Sequence, residues 1–121
     1  MMTGEVFNRR PTIRLIIHGP SGQQEEVETV VDTGFTGYLS LPPGEVLALG
    51  LPFVSYYDAQ VATGAVVRLT VHEATISWHG RLRTVFVIAT GVEALLGMSL
   101  IYGSRLLLEG RDGGDLVLGE L

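Results

Sequence analysis

Val30-Val31-Asp32-Thr33-Gly34-Phe35-Thr36-Gly37 decides how this chain is read, because it places a carboxylate directly after a β-branched pair and inside a loop of small and hydroxyl-bearing residues. Paired valines favour a buried strand. Gly34 and Gly37 let the loop fold back and turn its backbone N–H groups toward Asp32, and the hydroxyls of Thr33 and Thr36 add further donors. An acid held in this way can be ionised or share a proton, according to what faces it. Asp-Thr-Gly alone is a weak signal, since an Asp followed by a glycine is most often a turn or a helix cap. The flanking sequence therefore carries the decision.

Upstream, residues 12–18 read as a strand, Gly19-Pro20-Ser21-Gly22 as a turn, and residues 26–31 as the antiparallel partner that delivers the chain to Asp32. Downstream, residues 38–41 form a short strand, and Pro42-Pro43-Gly44 through Gly50 a brief helix opened by proline and closed by glycine. Residues 56–61 and 66–78 are strand-like around the tip Ala62-Thr63-Gly64-Ala65. Val67, Leu69 and Val71 alternate there with Arg68, Thr70 and His72, so one face is expected to be buried, and the hairpin is a candidate lid. His79-Gly80 is a tight turn into a strand at 82–89. Residues 92–102 then carry Leu95-Leu96-Gly97 followed by one or two helical turns, and a last hairpin joins 105–109 to 116–118 across Arg111-Asp112-Gly113-Gly114.

Short Val-, Ile-, Leu- and Thr-rich bursts punctuated every ten residues or so make this an all-β chain with minor helices. Its 121 residues fit one domain spanning 1–121, with 1–10 read as a candidate flexible segment, and roughly two thirds of the unfolded surface should be buried on folding. The composition, 46% hydrophobic and 17% charged with 16 glycines, is that of a packed, turn-rich protein. The net charge is −5 and the eight cations, all arginines, are dispersed, so no basic face is available for nucleic acid. With no cysteine, thiol nucleophiles, disulfides and zinc–thiolate sites are excluded. Residues 1–10 lack the apolar run of a secretory signal, and no apolar stretch is long enough to span a bilayer. The expectation is a cytoplasmic protein with no membrane partner.

The ordered set of hairpin, Val30-Val31-Asp32-Thr33-Gly34 with Thr36, lid hairpin and Leu95-Leu96-Gly97 before a helix resembles the aspartic proteases of the retropepsin type. More narrowly it looks like the stand-alone prokaryotic members of that clan, and the likeness covers about residues 12–109. The resemblance implies a retropepsin-like acid protease barrel with a flap hairpin at Ala62, Thr63, Gly64 and Ala65, and an aspartic endopeptidase acting on peptides or proteins. Asp32 would be catalytic, Thr33 would lock two loops across a twofold axis, Gly34 would line the cleft, and Thr36 would orient the outer carboxylate oxygen. That chemistry uses two carboxylates sharing one proton, and this chain has one Asp-Thr-Gly and no Asp-Ser-Gly. A homodimer would supply the second. No metal and no cofactor is implied. Phe35 departs from the usual Ala or Ser and implies a differently shaped cleft floor; Tyr56 and Tyr57 are placed to reach over the cleft; and the dimer-forming terminal strands of the viral enzymes have no clear counterpart.

Alternative readings stand beside these. The fold could serve a non-catalytic peptide-binding or dimerisation module, or an inactive monomer whose acidic loop is only a turn. Leu95-Leu96-Gly97 serves core packing on any reading. His18, His72 and His79 are too dispersed for a metal site. Trp78 reads as a core residue, Gly113-Gly114 as a turn rather than a phosphate loop, and Glu25, Glu26 and Glu28 as a solvated strand edge.

Overall fold

The computed structural model describes all 121 residues, and strands dominate it. In chain order they are β1 (Met2–Phe7), β2 (Arg10–His18), β3 (Gln24–Val31), β4 (Leu39–Leu41), β5 (Phe53–Gln60), β6 (Val66–Trp78), β7 (Arg81–Ala89), β8 (Ala94–Leu96), β9 (Ser104–Leu108) and β10 (Asp115–Glu120). Helix α1 (Pro43–Ala48) lies between β4 and β5, and α2 (Met98–Ile101) between β8 and β9. Proline sits in the first turn of α1, where its missing N–H is no loss, and Gly50, at φ +62°, lets the chain leave just beyond it. The all-β expectation holds, with two short helices.

Hydrogen bonding links the strands in the order β5-β6-β7-β4-β8-β3-β2-β1-β10-β9, and β6 pairs a second time with β2 through Ile17↔Ile76 and His18↔Thr75. That second pairing turns the sheet back on itself and encloses the core. Period-two alternation supplies the filling: Ile13, Leu15 and Ile17 of β2 point inward while Arg14 points out, and Leu116 and Leu118 of β10 do the same. They meet Leu39, Leu41, Ile76, Trp78, Val87, Leu96 and Leu100 in one apolar cluster. Thr29, wholly buried, donates its hydroxyl to the carbonyl of Ile13 at 2.8 Å, so the core holds no orphan oxygen there.

The ends of the chain differ from expectation. Residues 1–10 are not a loose lead: β1 is flanked on one side by β10, with Met2↔Leu118 and Glu5↔Asp115, and on the other by β2, with Phe7↔Arg10. The turn between β1 and β2 is Asn8-Arg9, with φ of 53° and 63°. Two left-handed residues in a two-residue loop match the twist of a hairpin, yet Arg, unlike Gly or Asn, gives no sign of that conformation in a sequence. Terminal strands therefore do exist, and both are paired within the chain, β10 lying between β1 and β9.

The β6–β7 turn, His79-Gly80, also uses two left-handed residues, at φ 49° and 77°. The His79 ring packs edge-on against Trp78, and its Nε2 shares a 2.9 Å hydrogen bond with the Ser104 hydroxyl, while Nδ1 is sealed from solvent without a partner. Burial lowers the pKa of His79 below its ordinary 6.5; Glu120 opposes the shift, and the N-terminal ammonium and Arg81 reinforce it. A histidine held neutral in the folded state contributes stability that is complete above the unfolded value and is lost as pH falls through the lowered folded value. Thermal midpoints of the wild type should therefore drop on acidification from about pH 7 toward pH 5 more steeply than those of His79→Gln. Parallel curves would refute the assignment.

Candidate active site

The acidic loop is gripped by the segment that follows β8. Strands β3 and β8 run parallel, with Val30↔Leu95 and Val31↔Leu96, and the Asp32 N–H donates to the Leu96 carbonyl at 2.9 Å. Beyond that point the loop and the start of α2 exchange further bonds: Gly97 N to Tyr38 O at 2.9 Å, Met98 N to Phe35 O at 2.8 Å, Ser99 N to Gly37 O at 3.2 Å, and the Ser99 hydroxyl to the Thr36 carbonyl. Leu96 lies in the core with no exposed surface, so the carboxylate stands on a buried base.

Within the loop, the Gly34 N–H donates to Asp32 Oδ1 at 2.9 Å, and the Phe35 N–H to the Asp32 carbonyl at 3.2 Å. The first of these is the contact that the Asp-x-Gly spacing suggests, and it orients the carboxylate. Neither threonine hydroxyl is hydrogen-bonded to Asp32 in the single chain: Thr33 and Thr36 are exposed, and Thr36 contributes its carbonyl instead. The apex Thr33-Gly34 faces solvent.

Phe35 explains the glycine content of the loop. Its ring lies so close to Gly37 and Gly97 that a Cβ on either would sit 2.6 Å and 2.7 Å from ring atoms. The phenyl group takes the volume that two side chains would otherwise fill.

Beside the acidic loop opens a cavity of about 410 Å³ lined by Gly34, Phe35, Thr36, Gly37, Ser40, Tyr57, Leu69, Ile88, Thr90 and Leu95. Its floor is a row across three neighbouring strands, because Ser40 of β4 pairs with Ile88 of β7 on one side and with Leu95 of β8 on the other. Its roof is the cross-strand pair Tyr57↔Leu69 of the β5–β6 hairpin. The volume lies within the ordinary range of ligand pockets, roughly 300–1,000 Å³. Of the two tyrosines placed near the cleft, Tyr57 lines it; Tyr56 packs on Phe53 and under the Arg68 guanidinium, which also pairs with Asp58 at 3.1 Å.

The hairpin tip at 62–65 is exposed and closes through Val61 N to Ala65 O and Gly64 N to Val61 O, both at 2.9 Å, with Gly64 at φ +86°. The tip residues do not line the cavity; the strands behind them do. Ser40, Ile88 and Thr90 went unremarked in the sequence, and Leu69 stood out only for its place in the strand alternation. Ser40 left one legible sign, a lone polar residue between Leu39 and Leu41 in a buried strand. His72 is held by the Leu51 carbonyl at 3.0 Å and the Thr70 hydroxyl at 2.9 Å, and no group of three or more His, Asp or Glu is arranged to hold a metal. No helix is long and apolar enough to cross a membrane.

This architecture is the retropepsin-like fold. Two solved structures of that fold resemble the chain: a retropepsin-like aspartic protease from Rickettsia conorii, at 18% identity and a TM-score of 0.55 over 94% of this chain and 90% of that one, and the EIAV protease in complex with the inhibitor HBY-793, at 19% identity and a TM-score of 0.54 over 78% and 86%. No protein-family model matches the chain, and no curated protein matches it.

Proposed function

We propose that the chain is an aspartic endopeptidase that acts as a homodimer, hydrolysing peptide bonds by a water activated between the Asp32 carboxylates of two copies. The observation that carries this reading is the setting of Asp32: its carboxylate is oriented by the Gly34 N–H, in a loop whose following residues, Gly34 to Gly37, line a cavity roofed by a hairpin. An extended peptide would lie between the floor and two such hairpins. One carboxylate takes a proton from the water as its oxygen attacks the scissile carbonyl, and the other donates to the carbonyl oxygen; the tetrahedral species then breaks its C–N bond as the amine takes up a proton. A lone carboxylate cannot serve as base and acid at once. The exposed apex Thr33-Gly34 leaves Asp32 open to a mate across a twofold axis.

A second reading, a peptide-binding module that keeps the fold and gives up catalysis, is favoured by one observation. Strands β1 and β10 are used up within the chain, so a second copy must dock by some surface other than exchanged terminal strands. Sedimentation across protein concentration, paired with a peptide-cleavage assay, separates the two. Activity per chain is expected to rise with the dimer fraction. Cleavage by a strict monomer, or a dimer that binds peptides and cleaves none between acid and neutral pH, would overturn the protease reading.

A further inference from the structure

Ser40 is 3% exposed, and its hydroxyl has no hydrogen-bond partner. A buried hydroxyl left in this state bears the whole cost of its lost hydration, which is why nearly all such groups in folded proteins are paired. Thr29, the other buried hydroxyl residue, is paired with a backbone carbonyl. Strand alternation explains where Ser40 points: Leu39 and Leu41 belong to the apolar core, and the residue between them faces the opposite side, where it lines the cavity with Ile88 and Leu95.

The rest of the wall limits what can enter. None of the ten lining residues is charged, so a charged side chain held against this wall would give up hydration with no ion-pair partner in it, which is costly. Leu69, Ile88, Leu95 and the rings of Phe35 and Tyr57 supply apolar surface. The Thr36 hydroxyl stands on an exposed residue and can bond water; the Ser40 hydroxyl is shut off from it. No bond holds Ser40 in its present rotamer, so rotation about χ1 toward an incoming group sacrifices none.

We propose that Ser40 is a specificity-determining residue, and that the cavity beside the acidic loop selects peptides carrying an uncharged side chain with a hydroxyl or amide group that bonds the Ser40 hydroxyl. Serine both donates and accepts, so either partner suffices. The inference rests on the peptide-cleft reading above, but not on catalysis.

The test uses the full chain and a panel of peptides in which the scissile amide is reduced to CH₂–NH, each position carrying in turn Val or Thr, Leu or Asn, Phe or Tyr. Calorimetry measures their affinities for the wild type and for Ser40→Ala. At one position the wild type should bind the polar member roughly three- to tenfold more tightly than its near-isostere, and Ser40→Ala should lose that preference. Ser40→Cys, of nearly the same shape but weak in hydrogen bonding, gives the same readout should the alanine variant fail to fold. Equal affinities throughout, a preference that survives both substitutions, or no binding at all overturns the proposal. Binding with the expected preference while the parent peptides, with their amides intact, go uncleaved between acid and neutral pH sinks the protease reading and leaves this one standing.

Discussion

Asp32→Asn is expected to lower peptide cleavage by about 10³-fold or more while leaving the fold intact. The two halves of that statement come from different properties of one side chain. Asparagine has nearly the same shape and keeps an oxygen that can accept the Gly34 N–H now bonded to Oδ1 at 2.9 Å, so the loop has no reason to move. What it lacks is a titratable proton. In a homodimer every site would carry two amides where the reaction needs a base and an acid, and both transfers fail together. Digestion of peptide libraries at acid pH, read by mass spectrometry, measures the first half; an unchanged urea midpoint measures the second. Undiminished cleavage by the variant would end the protease reading, and a collapsed midpoint would show that Asp32 serves the fold.

The fold was legible where the signal was local and repeated. Alternation in residues 12–18 and 26–31, the proline and glycine bracketing α1, and the hydrophobic pair before Asp32 each reflect one physical requirement met by a few adjacent residues. The order of acidic loop, hairpin and Leu95-Leu96-Gly97 carried the rest. Strand β1 was not legible, because one of its partners lies about a hundred residues away at Asp115–Glu120 and the turn to the other, β2, is made by Asn8-Arg9 without a glycine. Long-range pairing leaves no periodic mark beyond a weak alternation, and a left-handed arginine leaves none at all.

The candidate site divides along the same line. Asp32 and Gly34 are two positions apart and their contact follows from backbone geometry, so the sequence exposes it. The cavity floor is assembled from β4, β7 and β8, whose register only the folded sheet defines, and so Ser40, Ile88 and Leu95 meet without any sequence spacing that announces it. Tyr57 and Tyr56 look equivalent as neighbours, and only the facing of the β5–β6 ribbon separates the one over the cavity from the one stacked on Phe53.

The close seat of the acidic loop on the start of α2 yields the second large effect, at Gly97. Its backbone is extended, at φ −101° and ψ 177°, a conformation any residue adopts, so alanine brings no dihedral strain. The obstacle is contact: a Cβ there would lie 2.2 Å from the Gly37 carbonyl oxygen and 2.7 Å from both the Phe35 carbonyl and the Phe35 ring. Gly97→Ala must therefore separate two backbone segments and break the bonds by which Met98 and Ser99 hold the loop. A loss of about 3 kcal/mol or more is expected, a large share of the roughly 5–15 kcal/mol that stabilises an ordinary domain. Gly37→Ala meets only the Phe35 ring, at 2.6 Å and 2.8 Å, and should cost about 1–3 kcal/mol. Phe35→Ala distinguishes the two cases. Removing the ring should cancel most of the penalty at position 37, giving a favourable coupling of about 1–3 kcal/mol in a double-mutant cycle. At position 97 it should leave most of the penalty, since both carbonyl oxygens remain in place. Urea unfolding of the three single and two double variants measures these differences. Equal rescue at both glycines would mean that the ring, and not the backbone of the acidic loop, is what Gly97 accommodates.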